Sequence, residues 1–212
     1  MRLVIFGATG GIGREVVSQA LDQGHQVVAI VRNPDAVGRT HERLKLVKAD
    51  ILDASSYARE LAGANAIIGA LGARGRPKGP VTLCTDWTKR LVPAMQEHGL
   101  SRIVVVTAAA YVPATRPPLL FRLVIRPLLL SLLRHHYDDL QRMEELLAAG
   151  PLQWTVIRPT RLLDRPRTGK YRTAIDALVP GSMSIPRADV ADLMLECATK
   201  DTHLRQRVTV ST

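Results

Sequence analysis

Short apolar runs recur along the chain, at Leu3–Phe6, Gln26–Val31, Leu44–Val47, Ala66–Leu71, Arg102–Thr107, Gln153–Arg158 and Arg207–Val210. They are rich in Val, Ile and Leu without polar alternation, the pattern of strands covered on both faces. Between them the apolar positions fall at helical spacing. Examples are Glu15, Val16, Val17, Ala20 and Leu21 ending at Gly24, and Val190, Leu193, Met194 and Cys197 ending near Lys200. Asp189, one position before the second set, is placed to help cap that helix. Alternating β and α segments predict an α/β fold with a doubly wound parallel sheet and right-handed crossovers.

One stretch breaks this rhythm. Residues 116–136 are apolar and basic by turns, and Pro117, Pro118 and Pro127 are expected to limit any single long helix. Arg122, Arg126 and Pro127 interrupt the apolar run, so it does not make a transmembrane segment of about 20 residues. Three readings stand: a loop and short helix packed on the body of the domain, a flap over a bound substrate, or a membrane-surface or dimer contact.

A length of 212 residues, with 46% hydrophobic and 23% charged, suits one domain spanning 1–212 and excludes disorder. Cys84 and Cys197 make neither a disulfide framework nor a zinc pattern, and no metal site is expected. The N-terminal apolar run is too short for a signal-peptide core, and a reduced, cytoplasmic setting follows as the expectation. The net charge of +10 calls for an anionic partner or reflects an Arg-biased composition. Only 4% of residues are aromatic and no helix-turn-helix or finger spacing is present, so no specific nucleic-acid partner is expected.

The strongest local chemistry is Gly7-Ala8-Thr9-Gly10-Gly11-Ile12-Gly13, directly after the first strand and at the start of the first helix. In that context Gly7 permits a tight turn, Gly10 lets the backbone approach a pyrophosphate, and Gly13 allows close helix–sheet packing. The helix N-terminus adds N–H donors and a positive dipole. At the end of the second strand an NAD site carries an acid for the ribose hydroxyls, but here the residues are Val31-Arg32-Asn33. A guanidinium pairs with a 2′-phosphate where a carboxylate repels it, so Arg32 argues for NADP(H), the alternative being an ordinary surface arginine. After the third strand, Asp50 is placed to accept from an adenine amino group, and Asp53 to cap the next helix.

The runs Ile5–Gly13, Val31-Arg32-Asn33, Ala49-Asp50-Ile51-Leu52-Asp53, Ala70-Leu71-Gly72-Ala73-Arg74, Val105-Val106-Thr107 and Trp154-Thr155-Val156-Ile157-Arg158-Pro159 resemble an atypical short-chain dehydrogenase/reductase. Within that group the chain is most similar to the flavin reductase/biliverdin-IXβ reductase family and its bacterial NAD(P)H-binding relatives. The resemblance covers nearly the whole chain and implies a Rossmann-like fold. It implies that Gly7, Thr9, Gly10, Ile12 and Gly13, with Gly11 between them, hold the pyrophosphate. Arg32 with Asn33 would hold the 2′-phosphate, and Asp50 and Ile51 would flank adenine. Leu71, Gly72 and Arg74 would line the cofactor path, with Thr107 and Pro159 near the nicotinamide.

The catalytic half departs from the superfamily. Ordinary members use a Tyr-x-x-x-Lys pair, whose ammonium lowers the tyrosine pKa. Here Tyr137 is followed four residues on by Gln141 and Tyr111 by Thr115, and Thr107-Ala108-Ala109 lacks the serine that the flavin reductase family carries after its threonine. The catalytic candidates left are Thr107, alternatively a strand-end residue bonding the backbone, and His136, which with His135 is either a proton relay or a solvated helix start. Asp138-Asp139 and Glu144-Glu145 read as a solvated helix face. No P-loop, HExxH or nucleophile elbow is present. The expectation is an NADPH-dependent oxidoreductase, monomer or homodimer, passing hydride to a small planar acceptor such as free flavin or quinone, which needs no dedicated acid. The alternative is a non-catalytic redox sensor resembling the NmrA-like proteins. A nucleotide-sugar epimerase would ordinarily need the Tyr-Lys pair and a longer C-terminal part.

Overall fold

The computed structural model describes residues 1–72, 79–111, 126–181 and 183–212, with residues 111 and 126–132 described by their backbone alone. The chain runs β1 (Arg2–Phe6), α1 (Gly11–Asp22), β2 (Gln26–Val31), β3 (Leu44–Lys48), β4 (Ala66–Gly69), α2 (Leu83–Glu97), β5 (Arg102–Val106), α3 (Arg126–Ala149) and β6 (Gln153–Pro159). It continues through β7 (Arg161–Leu163), β8 (Arg172–Ile175), β9 (Ser184–Pro186), α4 (Arg187–Lys200) and β10 (Gln206–Ser211).

The apolar runs fold as their two-sided pattern requires. Along β1, Leu3 and Ile5 point into one core with α1 and α4, while Val4 and Phe6 point into the other with α2 and α3. Eight strands form one sheet in the order β3-β2-β1-β4-β5-β6-β10-β8. Phe6 is paired with both Ile30 and Gly69, so β1 lies at the point where the chain's progress across the sheet reverses. This is a Rossmann-like fold, in which ligands sit beyond the carboxyl ends of the strands at that point. Gly69 leaves room there for the Trp87 indole, which packs edge-on to Phe6 at 5.1 Å between ring centroids.

The sheet differs from the all-parallel expectation at one edge. β8 pairs antiparallel with β10, from Arg172 opposite Ser211 to Ile175 opposite Val208, and β7 and β9 form a separate parallel pair. β8 has mostly exposed side chains, so it carries no apolar run to read and is held by backbone pairing at a sheet edge.

Three further expectations are corrected. α3 takes residues 126–136 of the apolar-basic segment into one helix of 24 residues. Pro127 does not stop it, because it falls in the first turn, where a missing N–H loses no helical bond. Of the flap expected at 116–136, residues 116–125, with Pro117, Pro118 and Arg122, lie outside the described residues. No helix among the described residues is long and apolar enough to cross a membrane. Asp189 does not cap α4, whose N-cap is Pro186. It is fully buried in the first turn, and its carboxylate accepts from the Thr168 and Gly169 N–H groups at 2.7 and 2.9 Å and from the Thr168 hydroxyl at 2.6 Å.

The acidic pairs of α3 are split: Glu145 is exposed and Asp138 partly so, as a solvated face requires, but their neighbours are not. Asp139 and Glu144 are each 1% exposed, sharing the sheet-facing side with Met143 and Leu147. Asp139 closes the N-terminus of α2, accepting from the Cys84 and Thr85 N–H groups at 2.9 Å each and from the Thr85 hydroxyl at 2.6 Å. Burial pays for itself here because orphan helix donors need an acceptor and a carboxylate matches the dipole.

Candidate functional site

The turn after β1 needs its glycines for separate reasons. Gly7 has φ +81°, and a Cβ there would lie 2.2 Å from the Ala70 carbonyl oxygen just past β4. A Cβ on Gly13 would lie 2.0 Å from the Gly7 carbonyl oxygen. Both obstacles are backbone, so neither can yield to a side chain. The Gly10 N–H donates to the Gly7 carbonyl at 2.9 Å, and the Gly10 carbonyl accepts from the Arg14 N–H at 2.9 Å. α1 therefore starts close against β1 and β4. Its N-cap is Gly10, with no side-chain cap and no acidic residue in the first turn. Thr9 is half-buried beside the turn, and Ile12 is buried among the side chains joining α1 to α4. A close backbone approach that a Cβ would fill, together with an unmatched helix dipole, fits a pyrophosphate.

Arg32 follows β2 and is exposed, and among the described residues its guanidinium makes no hydrogen bond or ion pair with the protein. Asn33 is committed to the local turn. It caps the 3-10 turn Pro34–Val37, its side-chain oxygen accepting from the Asp35 N–H at 3.2 Å. Arg14 of α1 ties the same turn down by donating to the Ala36 carbonyl at 3.2 Å. Past β3, Asp50 is exposed and accepts from the Leu52 N–H at 2.9 Å, while the half-buried Ile51 accepts from the Tyr57 hydroxyl at 3.3 Å. Asp53 caps the 3-10 turn Ala54–Ser56 as expected. Leu71 packs on the core shared with α2 and α3, Gly72 is exposed with open space where a Cβ would go, and Arg74 lies outside the described residues. The glycine turn, Arg32, Asp50 and Leu71 thus share the carboxyl edge of the sheet around β1, β2, β3 and β4.

Thr107 and Pro159 end the neighbouring strands on the same edge. The Thr107 hydroxyl donates to Glu144 of α3 at 2.7 Å, so towards any other group it offers acceptor lone pairs. Glu144 also accepts from Arg158 Nε at 3.2 Å and Nη2 at 2.5 Å, and from Arg207 Nε at 3.1 Å. Arg207 lies over the Trp154 ring at 5.3 Å. A polar cavity of about 240 Å³ opens beside this network, lined by Gln141, Glu144, Glu145, Arg158, Asp176 and Arg207. His136 and Tyr137 are half-buried about 12 Å N-terminal of Glu144 along α3, towards the carboxyl edge of the sheet. Burial raises the Tyr137 phenol above its ordinary value, the opposite of what a Tyr-Lys pair achieves. Burial also raises both thiols, with Asp139 adding to the rise at Cys84, which disfavours the nucleophilic thiolate at each. Among the described residues no cluster suited to a metal ion forms.

Sequence reasoning missed Glu144 and Asp139. For the two acids a signal was present, because Leu140, Met143 and Leu147 mark the buried stripe of α3 and both acids lie within it.

The chain is similar to an uncharacterized protein of Mycobacterium tuberculosis, 28% identical over 166 residues. That match takes in 78% of this chain, and the chain spans only 15% of that protein's length. Among solved structures it is similar to a candidate NADH-flavin reductase from Streptococcus pneumoniae, 23% identical with a TM-score of 0.79, covering 100% of this chain and 99% of that one. It is also similar to ChuY, an anaerobillin reductase from Escherichia coli O157:H7, 22% identical with a TM-score of 0.76, covering 100% of this chain and 97% of that one. At these identities the two structures bear on the fold. The description of an NAD(P)H-binding family matches residues 7–201, from the glycine turn to just past α4, and it is to this family that the chain belongs.

Proposed function

We propose that the protein is an NADPH-dependent oxidoreductase whose acceptor is a small planar molecule such as free flavin or a quinone. The observation that carries this reading is the uncapped N-terminus of α1 behind a backbone-limited glycine turn, with the exposed Arg32 where an NAD site would carry an acid. The N–H groups of Gly11, Ile12 and Gly13 bind the pyrophosphate, and Arg32 pairs with the 2′-phosphate through charge-assisted bonds. The nicotinamide, when bound, supplies the hydride. Thr107 and Pro159 border the space for the acceptor at the ends of β5 and β6. With the Thr107 proton directed to Glu144 and Tyr137 raised in pKa, neither of these two hydroxyls supplies a strong acid to that space. This suits an acceptor whose reduced form takes its proton from solvent better than it suits a ketone. The solved relatives support the same class, one described as a candidate NADH-flavin reductase and one as an anaerobillin reductase.

The test is NADPH oxidation with free flavins, quinones and small carbonyl compounds, NADH in parallel, and binding measured separately by nicotinamide fluorescence. Saturable NADPH turnover with a flavin or quinone is expected. Arg32→Asp should weaken NADPH by about 100-fold while changing NADH by no more than about threefold. Equal loss for both would remove Arg32 from the 2′-phosphate. The same weakness of Thr107 and Tyr137 as acids favours one other reading, a non-catalytic NADP(H) sensor. Tight binding without turnover on any acceptor would select it.

A further inference from the structure

Gly11 differs from the other glycines of the turn. At Gly7, Gly10 and Gly13 the nearest obstacle to a Cβ is backbone, but at Gly11 it is not. What a Cβ on Gly11 would meet is Arg187, with Cδ at 2.6 Å and Nε at 2.7 Å. Arg187 is the first residue of α4. α1 and α4 each lead into a parallel strand, β2 and β10, so both begin at the carboxyl edge of the sheet. They pack together through Ile12, Val16, Val190 and Met194. The Arg187 side chain lies along the open backbone of Gly11, and its guanidinium reaches Asp164 in the connection after β7, with Nη1 to Oδ1 at 2.5 Å.

This is an unfavourable place for a lone cation. The N-terminus of α1 is already the positive end of a helix dipole, with no acid in its first turn. The carboxylate that offsets Arg187 comes from a side chain 88% exposed, whereas Arg187 itself is 28% exposed. A solvent-facing pair of this kind is readily exchanged for another anion. The guanidinium matches phosphate oxygens in a bidentate fork as well as it matches a carboxylate.

We propose that Arg187 is a ligand of the cofactor's pyrophosphate and that Asp164 is the anion it releases on binding. This rests on the dinucleotide reading above. Arg187 recognises the part common to NADH and NADPH, whereas Arg32 recognises the 2′-phosphate alone. Gly11 serves this role indirectly, by leaving the space along which Arg187 reaches the turn.

The experiment titrates wild type, Arg187→Gln, Asp164→Asn and Gly11→Ala with NADPH, NADH, ADP-ribose and 2′-AMP, using fluorescence or calorimetry, at several salt concentrations, with the melting of each unliganded variant as control. Arg187→Gln should weaken NADPH, NADH and ADP-ribose by a common factor of ten to a hundred. It should also lower the salt dependence of their binding and leave 2′-AMP unchanged. Gly11→Ala, which displaces the arginine without removing its charge, should weaken the same three ligands, and Asp164→Asn should bind them as tightly as wild type or severalfold tighter. Unchanged binding of the three by Arg187→Gln overturns the proposal while the cofactor reading stands, as does a loss confined to NADPH and 2′-AMP. If wild type binds neither NADPH nor NADH, the cofactor reading falls and this proposal with it.

Discussion

Replacing Glu144 by Ala tests whether the buried network beneath Thr107 is the anchor that its geometry suggests. The carboxylate is 1% exposed and accepts from Thr107, from two nitrogens of Arg158 and from Arg207. Its removal takes the buried acceptor from two guanidinium groups, Arg158 with a side chain 11% exposed and Arg207 with one 27% exposed. Breaking a buried ion pair by deleting one partner costs about 3–5 kcal/mol, mostly the penalty of the charge left behind. Two features move the expectation to the lower end. Arg207 keeps its contact with Trp154, and Arg158 keeps Asp176 at 3.8 Å. About 3 kcal/mol corresponds to a fall in Tm of roughly 6–12 °C for a chain of this size. The assay is urea unfolding followed by tryptophan fluorescence, with calorimetry for Tm. Combining Glu144→Leu with Arg158→Met should recover much of the loss, since an apolar pair removes the stranded charge. A loss under about 1 kcal/mol for Glu144→Ala, or additive losses in the double variant, would refute the account of a buried, mutually dependent network.

Other outcomes follow from the same reasoning. Gly13→Ala forces a Cβ into the Gly7 carbonyl and should abolish cofactor binding or folding, whereas Gly72→Ala, with open space at its Cβ, should bind NADPH as wild type does; fluorescence titration and melting check both. Asp189→Ala removes the acceptor of three bonds to Thr168 and Gly169 and should cost about 2–3 kcal/mol while speeding tryptic cleavage at Arg167 or Lys170, read by mass spectrometry. Burial first, then Asp53, pushes the Tyr57 phenol up to about 12. A raised folded-state pKa leaves stability intact below the unfolded value near 10 and removes it as pH rises towards 12. The unfolding free energy from urea titrations should therefore fall by about 2–3 kcal/mol across that window, and less in Tyr57→Phe.

What the sequence determined by itself was whatever depends on neighbours along the chain. Gln26–Val31 is a strand because Val27–Val31 is an unbroken apolar run buried on both faces. Gly7 and Gly13 were legible because a strand, a glycine turn and a helix follow in direct succession, and backbone contact in so tight a turn excludes any side chain. Asp53 was legible because a cap bonds residues two places away. Tertiary structure decided whatever depends on partners distant in the chain. β8 became a strand because β10 offered it an edge, not because its own residues are apolar. Asp139 and Glu144 are buried because the open N-terminus of α2 and the guanidinium groups of Arg158 and Arg207 arrive from other elements to satisfy them; without those partners the same acids would seek water. Arg187 meets Gly11 only because α1 and α4 begin side by side at one edge of the sheet, a proximity set by strand order and by no local pattern.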